Sequence, residues 1–280
     1  MFWSRGRGLA GFMNMRMLAL AVAAAIVCLP IAAEPQEHTA EAASISLPVS
    51  SPDCRSTRVA GELFRRPLKA LSRAVRSRRT VNVLAIGSSS TVGIGASSPS
   101  ATYIARLETT LEGAVRGMDF EVIGRGISGE DAQGAADRMK REIEEAKPDL
   151  VVWQVGTNDA LRHVGLDRFK GCLRTTLAWL GEQKIDVVLI DPQYGDALAE
   201  DWHYEKLVAE VARESRVLLV DRFEAMRELH RQRGDKFYLA ADNLHLNDTG
   251  HRCMAEQLAR SIVGGLLQAD ADTEQLVFYP

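Results

Sequence analysis

Five short apolar runs, each followed by a stretch with helical periodicity, constrain this 280-residue chain more than any other feature. They span residues 81–86, 120–123, 150–154, 186–190 and 217–220. Each is too short for a buried helix and rich in Val, Ile and Leu, as a strand covered on both faces should be. The intervening stretches 103–115, 131–146, 166–180 and 204–214, and then 223–233 and 249–267, space their apolar residues by three and four, which predicts helices. Strands that alternate with helices form a parallel sheet with helices on both sides. The expected fold class is therefore α/β, a three-layer α/β/α sandwich around a five-stranded parallel sheet. No internal repeat is present.

Ligands of such a sheet bind beyond the carboxyl ends of its strands. The first strand ends at Gly87 and runs into Ser88, Ser89 and Ser90, with Gly93 and Gly95 following. A serine-rich turn after a strand is often only a turn. Here it also offers a hydroxyl nucleophile at the chemically competent edge, and Ser89 is the working candidate, with Ser88 and Ser90 as competitors. The glycines lack the spacing of a dinucleotide fingerprint. The second strand leads to Ile127, Ser128 and Gly129, and the third to Gly156, Thr157, Asn158 and Asp159. A late loop carries Asp242 and His245, three residues apart. In a turn, Asp242 reaches one imidazole nitrogen and leaves the other free to take a serine proton. Asp159 is expected to stabilise its own loop. His163, His203, His230 and His251 are scattered and read as surface or satisfied histidines. No cluster has metal-ligand spacing, so neither metal nor cofactor is expected.

Taken together, these blocks resemble the SGNH hydrolases, also called GDSL-like esterases and lipases. The resemblance runs from Val81 to about Gly264 and rests on Gly87 to Ser89, Ile127 to Gly129, Gly156 to Asp159, and Asp242 to His245, in that order. It implies a flavodoxin-like form of the expected fold. It also implies that Ser89 attacks, that His245 is general base and then acid, and that Asp242 orients His245. The oxyanion hole would comprise the backbone N–H groups of Ser89 and Gly129 and the side-chain amide of Asn158. One position departs from the pattern: Ser88 stands where the family usually has an aspartate. The activity so implied is a serine esterase acting on carbohydrate, cell-envelope or lipid esters through an acyl-enzyme. An acyltransferase using the same residues, or a non-catalytic envelope-binding domain, are the alternatives.

The ends of the chain bear on where it works. Arg5, Arg7 and Arg16 precede an apolar run over 17–33 that ends in small residues before Glu34, the layout of a secretory signal peptide over residues 1–33. An uncleaved anchor is the alternative. Residues 34–60 read as a flexible linker and 61–280 as the hydrolase domain with a basic N-terminal helix. That helix is expected over 67–79, with Leu68, Leu71 and Val75 on one face. Residues 53–79 hold nine Lys or Arg against two Asp or Glu, within a chain of net charge −3. The basic segment 55–79 is thus a candidate for contact with a membrane surface or anionic polymer. Nucleic acid is not an expected partner, because no aromatic residues interleave the charges. Outside the signal, Cys172 and Cys253 read as buried thiols, and Cys54 as a disulfide half-cystine whose partner the sequence does not identify. Export to the periplasm or medium is the expected localisation.

Overall fold

The computed structural model of the chain describes residues 44–55, 66–78, 80–195 and 202–277. The expected signal peptide and part of the expected linker lie outside the described residues. Seven strands form among the described residues: β1 (Ser44–Ile45), β2 (Thr80–Gly87), β3 (Val115–Arg116), β4 (Asp119–Gly126), β5 (Leu150–Gln154), β6 (Asp186–Ile190) and β7 (Leu218–Val220). The central sheet has the order β4-β2-β5-β6-β7 and is parallel throughout. This is the flavodoxin-like order, whose topological switch lies between β2 and β5.

The nine helices of the described residues are α1 (Lys69–Ser77), α2 (Ser89–Val92), α3 (Tyr103–Ala114), α4 (Ala132–Ala146), α5 (Thr157–Leu161), α6 (Leu166–Glu182), α7 (Trp202–Ser215), α8 (Arg222–Arg233) and α9 (Asp248–Val277). Strand alternation assigns them to layers. Val83 and Ala85 of β2, Val152 of β5 and Val188 of β6 join Leu71 of α1, Leu107 of α3 and Leu258 of α9 in one core. Leu84, Ile86, Val151, Trp153 and Leu189 join Met139 of α4, Leu173 of α6 and Val208 of α7 in the other. Successive side chains of a strand point to opposite faces, so each buried strand feeds both cores.

Most expected elements form within a few residues of their expected ends, and the differences have local causes. The second central strand extends through Gly124, Arg125 and Gly126, which were expected as loop, because residues 80–87 pair with it along their full length to Gly87↔Gly126. The last helix runs to Val277, ten residues further than expected. α1 begins at Lys69, where the Asp186 carboxylate accepts the N–H groups of Ala70 (2.7 Å) and Leu71 (2.9 Å) and so caps the helix.

The described part of the expected linker lies against the domain. β1 pairs antiparallel with β3, and Glu256 of α9 accepts the Ser51 N–H at 2.8 Å. Cys54 is joined to Cys253 by a disulfide. Cys253 is therefore a half-cystine and not the free thiol expected; position on a helix face does not reveal which distant chain segment comes alongside. Cys172 is free and half-buried, and burial pushes its thiol up to about 11. In the basic segment, Arg76 pairs with Asp270 and Arg78 with Asp149, while Lys69 and Arg73 stay exposed.

Candidate active site

Four loops meet beyond the carboxyl ends of β2, β4 and β5. β2 ends at Gly87, and α2 starts at Ser89 with Ser88 at its N-cap. Of the three serines, Ser88 and Ser90 are buried, at 6% and 3% exposure, whereas Ser89 is only half-buried. Exposure therefore separates Ser89 from its neighbours. Thr91 anchors the helix beneath it. Its hydroxyl donates to Gln154 Oε1 of β5 (3.1 Å) and meets the Tyr103 hydroxyl at 2.8 Å. That tyrosine is fully enclosed, and burial pushes it up to about 12.

The loop after β4 is tied to the serine loop by Ile127 N–H, which donates to the Gly87 carbonyl at 3.0 Å. Gly129 follows with φ of 77°, a conformation that L side chains rarely adopt, and its lack of a Cβ leaves its amide open to close approach. After β5, α5 carries Asn158, whose Nδ2 donates to the Glu130 carbonyl at 2.8 Å. This bond uses one of the two amide hydrogens and leaves the other available. Asp159 is buried and accepts from the N–H groups of Ala132 and Gly156, all at 3.2 Å, so it fastens the β5 loop to α4. Burial pushes its carboxyl up to about 6. The expectation that Asp159 serves its loop agrees with this geometry.

The fourth loop presents His245. Its Nδ1 lies 2.6 Å from Asp242 Oδ2, and Asp242 Oδ1 accepts the N–H groups of Leu244 and His245, both at 3.0 Å. The bond to His245 and the two amides hold the Asp242 carboxyl down at about 2. Gln193, beyond β6, donates from Nε2 to the Leu244 carbonyl at 2.6 Å. Gly95 brings the loop close: a Cβ there would fall 2.2 Å from the Leu246 carbonyl oxygen, at a φ of 90°. With Nδ1 committed to Asp242, Nε2 is the free nitrogen.

Ser89, Asn158 and His245 line one narrow cleft, with Thr157, Leu161 and Gln193 among the other walls. The structure thus brings together three of the five residues named from sequence in one cleft. Asp242 supports it from behind His245, and Gly129 lies on the adjoining loop. Among the described residues, no histidine besides His245 lines the cleft. His251 is buried, accepting from Tyr103 N–H and contacting the Ile94 carbonyl, and His230 pairs with Asp235. Among the described residues, no group of three or more His, Cys, Asp or Glu is placed to hold a metal ion.

Sequence reasoning missed Arg138 and Glu130. Arg138 is 8% exposed and binds Glu130 through Nε (2.8 Å) and Nη2 (2.6 Å). Its Nη2 also reaches the carbonyls of Arg125 (2.9 Å) and Gly87 (3.5 Å), and its Nη1 reaches Glu142 at 3.3 Å. One guanidinium therefore ties the serine loop to the Gly129 loop, and Glu130 in turn carries the carbonyl that holds Asn158. The signal in the sequence was an arginine on the inward face of α4, eight residues after a glutamate in the loop between β4 and α4. Ser88 needs no acidic side chain to support this loop: its carbonyl accepts Thr91 and Val92 N–H, and Arg138 supports the preceding carbonyl.

Comparison with known proteins agrees with this architecture. The profile of the Non-GDSL lipase-like family matches residues 53–268. An acetylxylan esterase of Geobacillus stearothermophilus is 26% identical over 179 residues, covering 57% of this chain and 80% of that protein. Esterase TesA of Pseudomonas aeruginosa is 27% identical over 167 residues, covering 58% of this chain and 78% of that protein. The crystal structure of a TesA shares the fold with a TM-score of 0.57 at 23% identity, over 65% of this chain and 97% of that one.

Proposed function

This chain belongs to the Non-GDSL lipase-like family and is a carboxylic ester hydrolase of the SGNH type, and on that premise we propose that it works through a covalent acyl intermediate on Ser89. The observation that carries the proposal is the shared cleft of Ser89, Asn158 and His245, with Asp242 at 2.6 Å behind the imidazole.

In this reading His245 Nε2 takes the Ser89 proton as Oγ attacks the ester carbonyl carbon. Asp242 holds the opposite N–H and stabilises the imidazolium that forms. The carbonyl π electrons move to oxygen, and the oxyanion is met by the N–H groups of Ser89 and Gly129 and by the second Asn158 amide hydrogen. Collapse breaks the bond to the alcohol, which leaves with the proton from His245. Water then repeats the sequence on the acyl-enzyme and releases the acid.

The same proposal places the protein outside the cytoplasm. The Cys54–Cys253 disulfide supports an oxidising compartment, in keeping with the signal expected over residues 1–33. No helix of the described residues is long and apolar enough to cross a membrane. Among the described residues of the basic segment, Lys69 and Arg73 on α1 are exposed and able to meet an anionic surface or polymer.

Turnover of 4-nitrophenyl esters, together with covalent labelling by a serine-directed phosphonate, tests the mechanism. Ser89→Ala should abolish both, and Ser88→Ala should retain measurable turnover. The reverse pattern, or an unlabelled but folded wild type, overturns it.

A further inference from the structure

The cleft at Ser89 holds about 10 Å³, room for about one water-sized group. It can take a carbonyl oxygen but not a chain, so the rest of the substrate lies across the rim. The loops that build the cleft carry exposed aliphatic side chains. Val92 (47% exposed) is in α2 with Ser89, and Ile94 (40%) donates its N–H to the Ser89 carbonyl. Ile127 (49%) donates its N–H to the Gly87 carbonyl, and Leu161 (37%) lines the cleft from the helix that carries Asn158. Half-exposed Ile, Leu and Val side chains gathered around one site mark a surface that something apolar covers.

Several polar atoms of the lining are already committed. Gln154 Oε1 accepts from Thr91, Gln193 Nε2 donates to Leu244, and Thr157 Oγ1 accepts from Gln193 N–H and Arg222. No aromatic side chain is among the described lining residues on which a sugar ring could stack. These are poor features for binding a hydroxyl-rich alcohol and good ones for a hydrocarbon.

Resting on the esterase reading above, we propose that the rim receives the acyl chain of the ester, and that the preferred substrates are medium- to long-chain acyl esters and not acetyl esters. The alcohol oxygen must face His245, which protonates it. The acyl chain leaves in another direction, over the β4 and β5 loops that carry Ile127 and Leu161. Covering aliphatic surface with each added methylene favours binding by about fourfold.

The test holds the alcohol constant. 4-Nitrophenyl acetate, butyrate, octanoate and dodecanoate are compared for kcat/KM on the wild type, Ile127→Asn and Leu161→Asn. The wild type should prefer octanoate to acetate by more than about tenfold. Each variant should cut the octanoate-to-acetate ratio by about fivefold to tenfold, chiefly through KM. Acetate turned over as well as octanoate by a wild type that labels fully with phosphonate overturns this inference and leaves the esterase reading intact. A ratio unchanged in both variants overturns it equally. A folded wild type with neither turnover nor labelling overturns both.

Discussion

Replacing Arg138 with methionine isolates the role of the buried guanidinium behind the site. The substitution keeps much of the stem volume and removes the contacts to Glu130, Glu142, Gly87 and Arg125. Glu142 keeps Arg125 and Arg141, both at 3.0 Å. Glu130, whose side chain is 9% exposed, keeps no basic partner among the described residues. Stripping one partner from a buried ion pair costs about 3–5 kcal/mol, most of it from the stranded charge. The surviving partners of Glu142 place Arg138→Met at the lower end, about 3 kcal/mol, which is a large share of a typical domain's stability. Glu130→Gln in the same background removes the stranded charge and should return part of the loss. Catalysis should suffer separately. The Glu130 carbonyl anchors Asn158, so a loosened loop misplaces an oxyanion donor; the fall in kcat should be about tenfold, short of the hundredfold or more that follows loss of the donor itself. Urea unfolding of both variants and steady-state hydrolysis of a 4-nitrophenyl ester measure the two effects. Wild-type stability with wild-type kcat in Arg138→Met would refute the reasoning, as would a stability loss that Glu130→Gln deepens.

Three further outcomes follow from the same geometry. Asn158→Ala should lower kcat by about a hundredfold or more in a protein that remains folded, and an unchanged kcat removes Asn158 from the oxyanion hole. Asp159 carries a pH signature: burial raises its carboxyl to about 6 against about 4 in the unfolded chain, so the native state binds the extra proton between those values. The wild type should therefore lose stability relative to Asp159→Asn as the pH rises from about 4 to about 6. Parallel stability curves for the two proteins across that range contradict the assignment. Reduction of Cys54–Cys253, whose half-cystines lie 199 residues apart in sequence, should destabilise the chain by about 2–5 kcal/mol. A urea midpoint indifferent to reductant would show that the bridge adds nothing to the fold.

Ser88 illustrates how a departure from a family pattern is resolved by packing. The family's usual aspartate at this position suggested a lost support for the nucleophile loop. Instead the Ser88 carbonyl is satisfied within α2, and the Gly87 carbonyl is met by Ile127 N–H at 3.0 Å and by Arg138, fifty-one residues away in sequence, at 3.5 Å. The end of β4 lies against the same backbone, where only glycine fits: a Cβ on Gly126 would sit 2.9 Å from the Ser88 carbonyl oxygen.

Strand period, helix spacing and the order of the loop motifs are local properties, and the sequence by itself determined what depends on them. These are a doubly covered parallel sheet, the edge where its loops gather, and the candidate residues Ser89, Gly129, Asn158, Asp242 and His245. Asp242 and His245 could be paired without a structure because three residues of loop bring them together. Whatever depends on chain segments meeting across the fold was decided only by the tertiary structure. The greater exposure of Ser89, which favours it as the candidate nucleophile, needed the burial of Ser88 and Ser90 on either side of it. Cys253 as the partner of Cys54 needed the approach of residues 44–55 to α9. The grip of Arg138 on two loops needed the crossover that lays α4 beside β2. The aliphatic rim belongs to the same class, because a valine or isoleucine in sequence reads as core, and only closure of the fold shows which of them were left facing outward around the site.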